Sequence, residues 1–186
     1  MPKPISVSLK LNPLSLESKG ELARHFPIII TLWADTEDEL ALLFALALGT
    51  TPAHAVVVLG RVNSLQVRLD MIREAIAMSF SAVKGKQFQD FFKEIRKCSN
   101  IRSDIVHSYW TAIDTMPDCL IRTAGLRDRE LKQFAYDEQD FLEIQLRFGQ
   151  LHIDLKQFAQ SLLKDHPNTD EPLPHWRSVP PHPDET

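Results

Sequence analysis

The sequence predicts an all-α fold, an up-and-down helical bundle of four to five helices, with a small β-hairpin permitted before the last helix. Apolar residues recur at spacings of three and four through most of the chain, which is typical of amphipathic helices. Strand-like runs are confined to residues 118–136. The chain has 186 residues, of which 44% are hydrophobic, and this is enough for one domain with a continuous core.

The first two predicted helices meet at a glycine. One helix is expected from about Pro27 to Leu48, with Gly49 as its stop. Thr51 and Pro52 suit the N-cap and first residue of a short second helix. Residues 40–60 contain no charged side chain and approach the length of a membrane span, but the glycine and proline interrupt them. We therefore interpret the stretch as two buried helices and expect no membrane partner.

The third and fourth predicted helices are separated by Gly85. Asn63 is the expected N-cap of the third helix, over 64–83. We expect the fourth helix to end at Pro117. A seam at helical spacing runs along it, formed by Phe88, Phe91, Ile95, Cys98, Arg102, Ile105 and Tyr109.

The last predicted helix covers 138–164 and starts at Asp137 with Asp140. Before it, residues 119–122 and 131–136 form strand-like runs around Gly125, which permits the hairpin. The apolar seam of this helix suits packing against another helix, in the same chain or in a second copy. Its members are Phe141, Ile144, Phe148, Leu151, Leu155, Phe158 and Leu162.

The domain organisation follows from these elements. We expect an extended N-terminal arm over 1–19, one helical domain over 20–164, and a disordered proline-rich tail over 165–186. The N-terminus has no apolar core of signal-peptide length, and two cysteines imply no disulfide framework. A cytoplasmic location fits both observations.

Composition and motifs exclude several function classes. A net charge of −4 argues against a protein coated in nucleic acid. The sequence has no P-loop, GxGxxG, HExxH, CxxC or GxSxG motif. The seven histidines are scattered, so we expect no metal site and no cofactor. Locally, however, residues 84–104 carry six basic and three acidic side chains, which favours attraction of a phosphate.

The candidate catalytic residues are Arg102 and His107 on the fourth helix. Arg102 falls on the apolar seam, where a guanidinium needs a charged or polar partner. A long arginine side chain can reach a pocket at the helix flank that His107 shares, although the two residues lie about 140° apart around the helix. The supporting residues on or beside this face are Ser103, Arg96, Asn100, Asp104 and Trp110.

A structural interpretation of the same residues stays open. Arg102 can pair with an acid such as Glu39 or Asp104, His107 can bond a backbone carbonyl, and Trp110 can belong to the core. A second Arg-x4-His match ends at His152, but it lies on the apolar seam of the last helix without basic neighbours, and we set it aside.

The segment Arg102-Ser-Asp-Ile-Val-His107-Ser-Tyr-Trp resembles the R-x4-6-H motif of HEPN domains, which comes late in a long helix of a helical domain. Many HEPN proteins have Asn directly after the Arg, whereas this chain has Ser103. The resemblance implies metal-independent RNA cleavage by a homodimer that brings two Arg–His pairs together. Histidine changes protonation near neutral pH, so His107 can act as base or acid, and Arg102 can stabilise the phosphorane.

Three functions remain as hypotheses. The first is a HEPN ribonuclease, a toxin or a defence or stress effector, with RNA as substrate and a cognate inhibitor protein as a partner. The second is a non-catalytic HEPN-like module that binds a nucleotide, RNA or a protein. The third is a purely structural helical dimer that uses the seam of the last helix.

Overall fold

The computed structural model describes residues 2–5, 18–123 and 132–165, with only the backbone at 3–5. The described chain is mostly helical, as the sequence predicts, and a small antiparallel sheet that is larger than the predicted hairpin precedes the last helix. The helices are α1 (Gly20–Ala23), α2 (His25–Leu48), α3 (Pro52–Gly60), α4 (Leu65–Ser79), α5 (Ala82–Asp90), α6 (Phe92–His107) and α7 (Glu138–Lys164). The strands are β1 (Lys3–Ile5), β2 (Tyr109–Thr111), β3 (Leu120–Thr123) and β4 (Gln133–Tyr136).

The α2–α3 junction confirms the expected stop and start. Gly49 has a φ of 62°, and Thr50 N donates to Ala45 O at 3.0 Å, which closes α2 with a glycine in the left-handed region. The Thr51 side chain accepts a hydrogen bond from His54 N at 3.3 Å, with proline in the first turn. Local chemistry alone therefore sets this turn.

The predicted third helix over 64–83 is wrong in its ends. Ser64, not Asn63, is the N-cap, because its hydroxyl accepts from Val67 N at 3.4 Å. The helix breaks at Phe80, where Ser81 caps the start of α5. Gly85 lies inside α5 and does not separate two helices. Glycine at this position allows α5 to approach α4 closely, because an added Cβ would lie 2.7 Å from the Ala77 Cβ.

The predicted fourth helix is also shorter than expected. It begins at Phe92 after a break at Phe91, and it ends at His107, ten residues before Pro117. After Ser108 the chain continues with Tyr109, Trp110 and Thr111, whose aromatic and β-branched side chains favour a strand, and these three residues pair with β3. Tyr109, expected on the helical seam, is therefore the first residue of β2.

The sheet has the order β1-β4-β3-β2, with every neighbouring pair antiparallel. The pairing of β3 with β4 confirms the hairpin, although the predicted turn around Gly125 lies outside the described residues. Cα partners across the strands place Trp110, Arg122 and Phe134 in one row on one face. Neither β1 nor β2 is predicted from the sequence.

One compact unit comprises Met1–Asp35 and Glu94–His152, and it holds the sheet. Its core is an aromatic cluster. The centre of the Trp110 ring lies 4.8 Å from the centre of the Phe26 ring, 5.1 Å from that of Tyr136 and 5.9 Å from that of Phe141. The predicted start of α7 at Asp137 with Asp140 is confirmed. The two residues form a reciprocal capping box, in which Asp140 N donates to Asp137 Oδ1 at 2.9 Å and Asp137 N donates to Asp140 Oδ2 at 3.3 Å.

The other unit comprises Thr36–Lys93 and Ile153–Thr186. In its core, the Phe88 ring stacks on Phe158 at 6.1 Å and meets Phe92 edge-on at 5.5 Å. Close packing of α4 on α5 requires the glycine at 85.

The seam of α7 is buried within the chain. All seven predicted seam residues are at most 8% exposed. A second copy of the chain therefore cannot pack on this seam without unfolding it, which removes the basis of the purely structural dimer.

Within the described ranges, no single helix has the length and apolar content of a membrane span. The pair Gly20–Leu48 and Pro52–Gly60 meets that criterion only when both are counted together, across a sharp bend. Most of the predicted N-terminal arm and all of the predicted tail beyond Asp165 lie outside the described residues.

Candidate functional site

The candidate site lies on the last two turns of α6. This helix is amphipathic, with Ile95, Cys98 and Ile105 buried at spacings of three and seven. Burial raises the pKa of the Cys98 thiol to about 12, so this cysteine stays protonated and acts as a packing residue. The polar face of the same helix is left for other contacts.

Arg102 is half-buried on α6, and its Nε is buried without a hydrogen-bond partner. It forms no hydrogen bond or ion pair with any other described residue. The structural interpretation, in which Asp104 neutralises this guanidinium, is wrong, because the Asp104 carboxylate pairs with a different arginine. A cation in this state keeps its capacity to bind an anion from outside.

His107 is the last residue of α6 and is exposed. Its ring makes no hydrogen bond to any residue in the described ranges, so the suggested bond to a backbone carbonyl is absent from them. Arg96, Asn100 and Ser103 are exposed as well, and helical geometry puts all four within about 60° of one another around the axis. These four residues form a continuous polar strip along α6.

Asp104 has a structural partner that the sequence does not reveal. Its Oδ2 pairs with Arg122 Nη1 on β3. The Arg122 side chain is 10% exposed, and its guanidinium carbon lies 4.8 Å from the centre of the Phe134 ring. Burial raises the pKa of the neighbouring Tyr136 phenol, with the Arg122 charge opposing the rise. The only sequence signal was a lone arginine in an apolar strand-like run.

Trp110 belongs to the core and does not flank an open site. It is 9% exposed, and its indole N–H donates to the Ile105 carbonyl at 3.0 Å. That bond satisfies a carbonyl in the last turn of α6, where helices leave such groups unpaired. Trp110 therefore fixes the end of the helix against the sheet, which agrees with the structural interpretation of this residue as part of the core.

The second Arg-x4-His match differs in its environment. Arg147 Nη1 pairs with Glu94 Oε1 at 3.1 Å, and His152 is half-buried. The guanidinium of this match is thus neutralised by a carboxylate, whereas that of Arg102 has no such partner among the described residues. The two matches have the same spacing and differ in partner and exposure.

Part of the positive charge of the basic segment over 84–104 is neutralised within the protein. Lys84 Nζ pairs with Asp165 Oδ2 at 2.8 Å and lies 3.2 Å from Ser161 Oγ. Arg96 and Arg102 belong to the unit that carries the site, and Lys84 belongs to the other.

A cavity of about 630 Å³ in the same unit as the candidate site does not contain it. The cavity lies between α1 and the start of α7, and neither Arg102 nor His107 lines it. Its carboxylates Glu21 and Glu138 both pair with Arg24, at 2.5 and 3.2 Å. The pocket that the sequence predicts at the helix flank is therefore not this cavity.

No group of three or more potential metal ligands occurs among the residues that the structure describes. Comparisons of the chain with protein-family models, with curated proteins and with solved structures find no significant match. The chemistry of the site rests on its own residues. Arg102 can bind an anion, His107 can exchange a proton with a substrate, and Asn100 and Ser103 can donate hydrogen bonds.

Proposed function

We propose that this chain is a metal-independent ribonuclease of the HEPN type that acts as a homodimer. One observation carries the proposal. On the last two turns of α6, the guanidinium of Arg102 has no partner in the described protein, and an exposed imidazole, His107, follows five residues later. A structural arginine that is buried or half-buried normally has a carboxylate partner, as Arg122 and Arg147 do.

The reaction is an intramolecular transesterification. The ribose 2′-oxygen attacks the adjacent phosphorus, the O2′–P bond forms, and the P–O5′ bond breaks. A base removes the proton from the 2′-hydroxyl, and an acid gives one to the departing 5′-oxygen. The products are a 2′,3′-cyclic phosphate and a 5′-hydroxyl. Arg102 binds the non-bridging oxygens, where negative charge builds up in the transition state.

Two proton transfers need two groups, and one imidazole cannot be base and acid in the same step. A two-fold dimer supplies the second His107 and the second Arg102 at one site. Asn100 and Ser103, exposed on the polar strip of α6, are the groups that hydrogen-bond the substrate in this proposal.

The proposal also includes an up-and-down arrangement of the helices and a cytoplasmic location, both of which rest on the sequence pattern. The role of a toxin or a defence or stress effector held in check by a cognate inhibitor protein follows from the HEPN resemblance. This role depends on the nuclease activity and falls with it.

The test compares two histidines at matched spacing. Purified wild-type protein, His107→Gln and His152→Gln are incubated with RNA in EDTA, and cleavage rates are measured. We expect His107→Gln to lose about 100-fold or more, because proton transfer contributes that much, and His152→Gln to cleave like wild type. Arg102→Ala should lose about 100-fold or more through the missing donor. Circular dichroism and analytical ultracentrifugation check that each variant folds and associates normally.

RNA that stays intact at high protein concentration contradicts the proposal, as does cleavage that requires a divalent metal. Equal losses in His107→Gln and His152→Gln would place the effect in the stability of the protein. Binding of RNA without cleavage would favour the non-catalytic HEPN-like module.

A further inference from the structure

Tyr109 has the one exposed Phe, Tyr or Trp ring in the part of the chain that the structure describes. It is 56% exposed, and every other such side chain there is buried or half-buried. The ring makes no hydrogen bond and no ring contact with a described residue. Exposing a large aromatic side chain forgoes the stabilisation of burying it and leaves the face of the ring open to a ligand.

The position of Tyr109 links it to the candidate site. It comes two residues after His107, and two residues of chain span at most about 7 Å between Cα atoms. A nucleotide adjacent to the scissile phosphate covers that distance. The ring is on β2, an edge strand of the sheet.

The next residue holds the Tyr109 backbone in place. Side chains alternate along a strand, so Trp110 enters the core while Tyr109 is on the opposite face. The Trp110 ring packs on Phe26 and Tyr136, and its N–H is bonded to Ile105 O. The exposed ring is therefore attached to a fixed backbone, which reduces the entropy lost when a ligand stacks on it.

We propose that Tyr109 is a stacking platform for an unpaired base next to the phosphate on which Arg102 and His107 act. This inference rests on the proposed function. Aromatic side chains stack on bases that are splayed out of single strands, whereas the bases of a duplex cover each other's faces. The neighbouring strip on α6 is polar, which suits a nucleotide better than an apolar protein surface.

The experiment measures binding of a short fluorescent oligonucleotide whose 2′-oxygens are methylated, so that it cannot be cleaved. Single-stranded and duplex forms are titrated with wild type, Tyr109→Ala, Tyr109→Phe and Leu146→Ala. The last variant is the matched control, because Leu146 on α7 is 72% exposed in the same unit. We expect Tyr109→Ala to weaken single-strand binding about 5- to 100-fold, Tyr109→Phe to bind within about twofold of wild type, and Leu146→Ala to match wild type. A bromouridine oligonucleotide should photo-cross-link to residue 109.

Unchanged affinity of Tyr109→Ala would overturn the inference, as would duplex binding with the same dependence on the ring. Loss of the dimer in Tyr109→Ala would overturn it as well, because the ring would then serve a protein contact. The two proposals fail separately. If RNA binding depends on the Tyr109 ring but natural RNA stays intact, the nuclease is rejected and the stacking platform is kept. If RNA is cleaved through His107 but Tyr109→Ala binds it normally, the platform is rejected and the nuclease is kept.

Discussion

Removing Asp104 should destabilise the protein more than removing its partner Arg122. The Arg122 side chain is 10% exposed and that of Asp104 is 53% exposed, so the two ends of the ion pair lose very different amounts of hydration. Without the carboxylate, a buried guanidinium stays behind, and its Nε already has no hydrogen-bond partner among the described residues. In Arg122→Met, by contrast, the carboxylate simply returns to water.

The size of the effect follows from these exposures. Leaving one partner of a fully buried pair unpaired costs about 3–5 kcal/mol. Here the carboxylate is half-exposed, and the Phe134 ring at 4.8 Å keeps about 1 kcal/mol of attraction for the cation. We therefore expect Asp104→Ala to cost about 2 kcal/mol. Arg122→Met keeps the apolar stem of the side chain and should cost about 1 kcal/mol or less.

The assay is urea unfolding of both single variants and the double variant, with thermal melting alongside. In a chain of this length, about 2 kcal/mol corresponds to a drop of about 4–8 °C in Tm. The double variant should be as stable as Arg122→Met alone, because the stranded cation is gone. Glu21→Ala is the control: its side chain is 86% exposed in its pair with Arg24, so little change is expected. A loss in Asp104→Ala as small as that of Glu21→Ala, or a double variant equal to the sum of the singles, would refute this reasoning.

Two further predictions concern glycine packing and pH. Gly85→Ala should lower the free energy of unfolding in urea by about 1–2 kcal/mol, because the new Cβ would lie 2.7 Å from the Ala77 Cβ. Gly149→Ala, where the added Cβ meets open space, should raise it by up to about 1 kcal/mol. Equal effects of the two substitutions would mean that α4 and α5 do not approach closely. Burial lowers the pKa of His25 below 6.5, with Arg24 adding to the effect, so the folded state resists protonation more than the unfolded chain does. Stability should therefore fall as the pH drops below about 6.5 and level off below the folded pKa, and His25→Gln should remove that part of the slope in unfolding measured against pH. If the same dependence of stability on pH persists in His25→Gln, a group other than His25 causes it.

The parts of the fold that sequence analysis predicts correctly are those set by neighbouring residues. Gly49 closes α2 through bonds to its own last turn, and Thr51 caps the next helix three residues ahead. The reciprocal bonds of Asp137 and Asp140 likewise need only four consecutive residues. Each of these signals is complete within one turn of chain, so no tertiary contact can hide it.

The predicted helix boundaries are wrong where contacts between residues far apart in sequence determine the secondary structure. Tyr109 continues the helical spacing of α6, yet pairing with Thr123 on β3 turns its segment into a strand. Gly85 looks like a helix breaker, but it sits inside a helix because α4 needs room beside it. In both cases the deciding neighbour is far away in sequence, and local propensity is the weaker influence.

The same distinction applies to the candidate site. The sequence identifies Arg102 and His107 by spacing. Arg102 is half-buried and His107 is exposed, and neither makes a hydrogen bond or ion pair with a described residue, which agrees with a functional role. Arg122 could not be predicted as the partner of Asp104, because the pair forms only when β3 joins the sheet. The choice between a core position and a site position for Trp110 stays open in the sequence for a related reason: its environment depends on Phe26 and Tyr136.

The most direct test of the central claim is the end-group chemistry of RNA fragments produced in EDTA by wild type and by His107→Gln. If the 2′-oxygen is the nucleophile and residue 107 moves the protons, wild-type fragments carry 2′,3′-cyclic phosphates and 5′-hydroxyls, and the variant yields almost none. Fragments that end in 3′-hydroxyls and 5′-phosphates, or cyclic ends that form equally fast without the imidazole, would contradict the mechanism.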